Sequence, residues 1–229
     1  MGRFRDVMKR TPQNELLDHD LGTPAEIALA LSDLRHINAW FGGVATTTSL
    51  LRYAMRNSGV TSATVLEVAS GDGFCVRKAA DRLTTDGLQL RLTLLDRQQS
   101  RFVSTNGIRT VVGDALQIPF GNSSFDFVSC GLFVHHLAPT TVLRFVSEAL
   151  RVCRHAVLIN DLRRSATHLA LVYLGLPLFR SRLTWHDAPA SVRQSYEPSE
   201  LLDLLKKTPA KNAEITNRYL YRMAVTVWK

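Results

Sequence analysis

Val65-Leu66-Glu67-Val68-Ala69-Ser70-Gly71-Asp72-Gly73 decides how the rest of this chain is read. An apolar strand, Ala63 to Ala69, gives way to a tight turn of small residues, and a helix follows to about Leu83. Small residues let the backbone approach a ligand where a side chain would collide. Backbone N–H groups and the helix N-terminus then face that ligand. Taken alone, the turn also fits an ordinary strand-to-helix connection.

Working outward, the same logic recurs at each strand end. Leu88 to Leu95 reads as a strand that stops at Asp96, 23 residues after Gly73. An acid about 20 residues past a glycine turn hydrogen-bonds ribose hydroxyls in nucleotide-binding α/β units. A carboxylate accepts from two adjacent hydroxyls at once, which suits a vicinal diol. Helix-like residues run on to about Asn106, and Arg109 to Val112 is a third strand, followed by Gly113-Asp114-Ala115. Phe125 to Cys130 is a fourth strand, followed by Leu132-Phe133-Val134-His135-His136-Leu137. Thr140 to Arg151 reads as a helix, and Ala156 to Ile159 as a strand ending at Asn160-Asp161. Short apolar strands alternating with helices predict an α/β fold: a Rossmann-like, doubly wound, mostly parallel sheet with ligands at the carboxyl ends of its strands.

Before this core, Ile27, Leu31, Leu34 and Ile37 recur at helical spacing behind Thr23, an N-cap with Pro24 at the first helical position. A second helix is predicted from about Thr46 to Arg56. After the core, residues 162–197 read as a helical insertion following the fifth strand, rich in leucine and interrupted by Pro177 and Pro189. Ser199 to Lys207 is a further helix. Glu214 to Tyr221 and Arg222 to Trp228 are the last two of seven strands, and their polar content suits an antiparallel hairpin at a sheet edge. Residues 1–20 are polar and irregular and read as a mobile arm, leaving 21–229 as one domain.

The 229 residues carry 45% hydrophobic and 21% charged side chains, which excludes a disordered chain or a disulfide-dense scaffold. Three scattered cysteines without a CxxC pair read as free thiols. No stretch is long and apolar enough to span a bilayer, and the N-terminus shows neither a secretory signal nor a myristoylation motif, so a cytoplasmic location is expected. The net charge of +8 raises nucleic acid or an anionic surface as partners. The basic residues are scattered and not interleaved with aromatics, so nucleic acid is not expected.

With these residues in hand, the chain resembles a class I S-adenosylmethionine-dependent methyltransferase of the small-molecule type, over about residues 60 to 161. The family's first turn has the form acid-x-Gly-x-Gly-x-Gly; here it runs from Glu67 through Ala69 and Gly71 to Gly73, with Ala69 in place of the first glycine. The resemblance implies that Glu67, Ala69, Ser70, Gly71 and Gly73 sit under the methionine part of S-adenosylmethionine, or of its product S-adenosylhomocysteine (SAH). It implies that Asp96, with Arg97, holds the ribose and that Asp114 and Ala115 read the adenine. The main chain around Cys130 and Gly131 would line the sulfonium region. An NAD fingerprint fits less well, because Val76 stands where its last glycine belongs and Glu67 is foreign to it.

His135 and His136 follow strand four, where the methyl group should lie, and either is a candidate general base, His135 being the nearer to the strand end. The insertion, with Leu169, Leu171, Leu174, Leu178 and Phe179, would shape a pocket for a small, largely apolar acceptor of phenolic, polyketide or isoprenoid type, methylated at oxygen. The same apolar stretch also fits a plain helical cap or a homodimer contact. No metal site is expected, since adjacent histidines turn their rings apart and no ligand cluster follows. A catalytically silent cofactor-binding module and an RNA methyltransferase are the competing readings; the latter lacks an appended RNA-binding domain.

Overall fold

Thr23 caps the first helix as its sequence predicts. Its side chain accepts from the Glu26 N–H, and Glu26 reaches back to the Thr23 N–H at 2.8 Å, so two free donors at the helix start are satisfied. In the computed structural model, which describes residues 8–102 and 107–229, this helix is α1 (Pro24–Trp40) and is followed by α2 (Gly43–Asn57). Then come β1 (Ser62–Val68), α3 (Phe74–Thr84), β2 (Gln89–Asp96), β3 (Arg109–Val112), β4 (Phe125–Gly131), α4 (Pro139–Val152) and β5 (Cys153–Leu162). The chain closes with α5 (Ala166–Gly175), α6 (Arg182–Gln194), α7 (Pro198–Leu205), β6 (Asn212–Arg218) and β7 (Arg222–Trp228).

The seven strands lie in the order β3-β2-β1-β4-β5-β7-β6. β1 to β5 pair in parallel, and β7 runs antiparallel between β5 and β6. This is the doubly wound sheet expected from the sequence. After β3 the chain returns to the middle and lays β4 beside β1, so the winding reverses between those two strands and opens a crevice at their carboxyl ends. Period-two alternation feeds both faces. Val65, Phe127 and Leu158 pack with Leu51, Met55 and Leu83 of α2 and α3. Leu66, Val128 and Ile159 pack with Phe145 and Val146 of α4 and Leu201 of α7.

Three stretches differ from the sequence reading. The helix expected after Asp96 is one 3-10 turn, Gln99–Arg101, and residues 103–106 lie outside the described residues. The Asp96 side chain accepts from the Gln98 N–H at 3.0 Å, a local bond that competes with helix. β5 extends to Leu162 because β7 pairs with it as far as that residue. Residues 8–20, expected as a free arm, lie along the body: Thr11 N–H donates to the Arg193 carbonyl, and Leu16 and Leu17 N–H to the Asp187 carboxylate. Residues 1–7 lie outside the described residues. Among the described residues no helix is long and apolar enough to cross a membrane.

The turn after β1 requires glycine at one end and lacks it at the other. Gly73 has φ +69°, and a Cβ there would come within 2.7 Å of a Leu94 methyl. Ala69 also sits in the left-handed region, at φ +51°, which an L side chain adopts at a cost of about 1–2 kcal/mol. Gly73→Ala should therefore destabilise the fold by roughly 1–3 kcal/mol, and Ala69→Gly should stabilise it by up to about 1 kcal/mol. Urea unfolding of the two variants checks both signs.

Candidate active site

The carboxyl ends of β1, β2 and β4 frame a cleft of about 890 Å³. Glu67, Ala69, Ser70, Gly71, Gly73, Asp96, Arg97, Asp114, Ala115 and His136 all line it. No atom lies within 4 Å of the point where a Cβ on Gly71 would sit, so the backbone there faces open space. Asp96 accepts from the Gly71 N–H at 2.8 Å and from the Gln98 N–H at 3.0 Å. It thus ties the end of β2 to the turn after β1 and keeps lone pairs for a ligand. The Asp114 carboxylate accepts from the Leu116 N–H at 2.9 Å, which fixes the loop beyond β3. Asp72 accepts from the Phe74 N–H at 2.9 Å and pairs with Arg35 at 2.5 Å, joining α1 to the start of α3.

Glu67 is buried beneath the cleft, and Ser129 donates a hydrogen bond to it. Burial pushes its carboxyl up to about 7, against the pull of that bond. The Cys130 side chain does not reach the cleft. It packs into the core under α4, where burial drives its thiol well above the usual range, and Gly131 takes its place in the wall. Alternation along β4 is the reason: successive residues face opposite sides.

A second, mostly apolar cavity of about 480 Å³ adjoins the cleft. The insertion supplies Leu171, Val172, Leu174, Leu178, Phe179 and Val192, and α1 supplies Leu34 and Ile37. Both cavities are lined by Glu15, Leu17, Asp18, Leu34, Leu132, His136 and Arg222. Three of these lie in the segment that the sequence reads as an arm. The segment is anchored by Arg10, which donates to the carbonyls of His135, Leu137 and Gln194 at 2.9, 3.0 and 2.7 Å and sits over the Tyr196 ring. Glu15 accepts from Ser191 Oγ at 2.5 Å and from the Gln194 amide at 2.7 Å. Sequence reasoning missed Glu15 and Asp18. Their only signal is two carboxylates flanking Leu16-Leu17 in an otherwise irregular stretch.

The two candidate bases have different surroundings. His135 is buried, with Nδ1 at 2.6 Å from Asp161 and Nε2 at 3.5 Å from Glu15. Burial alone would lower its pKa, but the Asp161 charge and hydrogen bond, with Glu15, outweigh burial and push it up to about 10. A histidine held in its protonated form is a poor acceptor of a further proton, which weighs against His135 as the base. His136 has Nδ1 at 3.0 Å from Asp18, closer than the Gln194 amide at 3.4 Å. Burial raises the Asp18 carboxyl, but its bond to His136 together with the His136, His135 and His19 charges holds it below the usual carboxylate range.

The rings of His135 and His136 do not turn apart. Their centroids are 4.0 Å apart, and ligand-type atoms of Glu15, His135 and His136 lie within 4.8 Å of one another. These three groups could therefore meet on one ion, contrary to the sequence expectation, and an ion there would have to displace the proton that Asp161 and Glu15 favour on His135.

Residues 65–156, from β1 to the start of β5, match the family model described as a methyltransferase domain. No curated protein matches the chain in sequence. Among solved structures, the plantazolicin methyltransferase BpumL in complex with SAH aligns at TM-score 0.70 and 12% identity over 94% of each chain. A SAM dependent methyltransferase from Aquifex aeolicus aligns at TM-score 0.55 and 16% identity, covering 77% of this chain and 88% of that one. Magnesium protoporphyrin IX methyltransferase (ChlM) from Synechocystis PCC 6803 with bound SAH aligns at 0.53 and 12%, covering 82% and 83%. At these identities the likenesses establish the fold, and the family model identifies the domain over the stretch it matches. Residues 65–156 thus carry a methyltransferase domain, and the chain around them has the fold of S-adenosylmethionine-dependent methyltransferases.

Proposed function

We propose that this methyltransferase acts on a hydroxyl of a small, largely apolar metabolite of phenolic, polyketide or isoprenoid type. The observation that carries this reading is the wall shared by the two cavities. A cleft ringed by backbone N–H groups and carboxylates meets a leucine-lined chamber at Leu132 and His136. Bound in the cleft, S-adenosylmethionine supplies an electrophilic methyl group on a sulfonium. Glu67, Ala69, Ser70, Gly71 and Gly73 would hold its methionine part, Asp96 and Arg97 its ribose, and Asp114 and Ala115 its adenine. The chamber excludes water and orients the acceptor, which converts an encounter in solution into a reaction between held groups.

The acceptor hydroxyl loses a proton as it attacks, and His136 is the group placed to take it. Asp18 binds Nδ1 and so keeps the proton on that nitrogen, leaving Nε2 as the accepting atom. Arg222 favours oxygen over nitrogen as the attacking atom. Its buried guanidinium lies in the shared wall, with hydrogen bonds to three neutral oxygens: the Phe41 carbonyl at 3.0 Å, Asn160 Oδ1 at 3.2 Å and Asn38 Oδ1 at 2.8 Å. A fixed cation there stabilises a developing oxyanion and repels a protonated amine.

Three measurements follow from this reading. Asp96→Ala should weaken SAH binding in calorimetry by about 1.5–3 kcal/mol, and affinity equal to the parent's would refute the ribose placement. With a phenolic acceptor, His136→Asn should lower kcat by roughly 10²–10⁴-fold and leave SAH affinity intact. That loss should shrink as pH approaches ~10, where a phenol ionises unaided. Turnover on RNA and none on phenols or polyketides would replace the acceptor class, and SAH binding without turnover on any acceptor would point to a silent module. The third measurement concerns stability. His135 has its folded pKa raised above ~6.5 to about 10, so its contribution is fully present below pH ~6.5 and is lost as pH rises through 10. The parent should lose stability to urea between pH 7 and 10, and His135→Asn should show a flatter profile.

A further inference from the structure

α5 breaks the rule that an apolar helix is buried. Its sequence, Ala166 to Gly175, carries no charged side chain, and His168 is its one buried residue. A helix that is apolar all round ordinarily sits inside a core or a membrane. Here Leu171, Tyr173 and Leu174 stand in solvent, Leu174 at 78% exposure, and Leu178 in the turn beyond is 70% exposed. Leu171, Leu174 and Leu178 also line the acceptor cavity, so their exposed apolar surface lies at its open mouth.

The far rim repeats the pattern. Phe41, Leu220 and Tyr221 line the same cavity, and their chain neighbours Trp40 and Tyr219 are 65% and 70% exposed. Trp and Tyr are the residues that favour the boundary between an apolar layer and water. The charge left unpaired around this collar is positive: Arg164 is buried against Glu197 and Glu200 and Arg182 pairs with Glu26, whereas Arg163, Arg180 and Arg218 have no carboxylate partner among the described residues. From Leu162 to His186 the sequence contains Arg163, Arg164, Arg180 and Arg182 and no Asp or Glu. Arg180 and Arg218 are exposed beside the roof and the far rim, and Arg163 lies 5.2 Å over the Tyr221 ring. A second copy docking by two-fold symmetry would set this cationic collar against itself. An anionic layer with an apolar interior meets both of its features.

We propose that the α5 roof, the turn after it and the Trp40 and Tyr219 rim dock on an anionic lipid surface, so that the acceptor cavity opens toward the acyl layer. The protein lies on the membrane, its leucines entering the headgroup boundary and its arginines meeting lipid phosphates. Delivery of an apolar acceptor by this route rests on the function proposed above; the binding to lipid does not.

Co-sedimentation of the full chain with phosphatidylcholine vesicles, with and without phosphatidylglycerol, tests it in the absence of acceptor. The expected result is binding to the anionic vesicles that weakens as salt rises, and little binding to pure phosphatidylcholine. Leu174→Ser with Leu178→Ser should weaken it by about tenfold or more at unchanged circular dichroism, as follows from withdrawing two buried leucines. Lipids brominated in the acyl chain should quench Trp40, and the quenching should fall in Trp40→Phe. Failure to bind anionic vesicles at low salt overturns the proposal. So does binding that the double variant leaves unchanged, since charge alone would then explain it. A parent that is dimeric in light scattering and a variant that is monomeric would give the face to a second copy instead.

Discussion

One buried positive charge holds the upper half of this site together. The His135 imidazolium has Asp161, at the end of β5, on one nitrogen and Glu15, from the N-terminal segment, near the other. Asp161 also accepts from the His135 N–H at 3.0 Å and so fixes the backbone where β4 turns into the loop that carries His136. Glu15 in turn is held by Ser191 and Gln194 of α6. A charge cluster of this kind adds little net stability, because each group loses its water. Removing one partner is another matter: the charge left behind typically costs about 3–5 kcal/mol. The cluster therefore acts as a specification. It links the β4 loop, β5, α6 and residues 8–20 in the arrangement where Asp18 meets His136.

The cleft proposed for the cofactor was legible in the sequence because its geometry is local. The small-residue turn between β1 and α3 has to be small, since Gly73 faces Leu94 and Gly71 faces open cleft. Asp96 and Asp114 sit where strands end, and strand ends can be read from apolar runs. The fold followed from the same runs, as each strand feeds both cores with the period of two. The acceptor half was legible only as composition. A leucine-rich insertion suggested an apolar chamber, but nothing in Ala166 to Gly175 says which side of the helix is covered.

What escaped the sequence depends on contacts between distant positions. Glu15 and Asp18 meet His135 and His136 across more than a hundred residues, and a polar stretch that ends in such contacts looks the same as one that ends in water. His135 and His136 are equivalent by spacing and differ only in what surrounds them. Asp161 charges the first, and Asp18 orients the second. Cys130 and Gly131 differ in the same way, by which face of β4 each occupies. The expected helix after Asp96 failed for a local reason, the bond from its own side chain to the Gln98 N–H, which residue type alone does not announce.

The two halves are therefore governed by different physics. In the cofactor half, backbone atoms form the surface, and the allowed residues are set by left-handed φ angles and by close approach. Ala69 marks the limit, since it fits the space but occupies a conformation that glycine adopts more readily. In the acceptor half, side chains form the surface, and leucine, valine and phenylalanine can exchange volume without disturbing the sheet below. The insertion leaves β5 at its carboxyl end, beside the reversal of the sheet, and returns through α6, which binds residues 8–20 through Asp187 and Gln194. A change in α5 alters the shape of the chamber while the turn, Asp96 and Asp114 stay fixed. On the function proposed above, this separation would let one methyl-donor site serve acceptors of different shape. It also confines the choice among them to the few elements that roof the chamber.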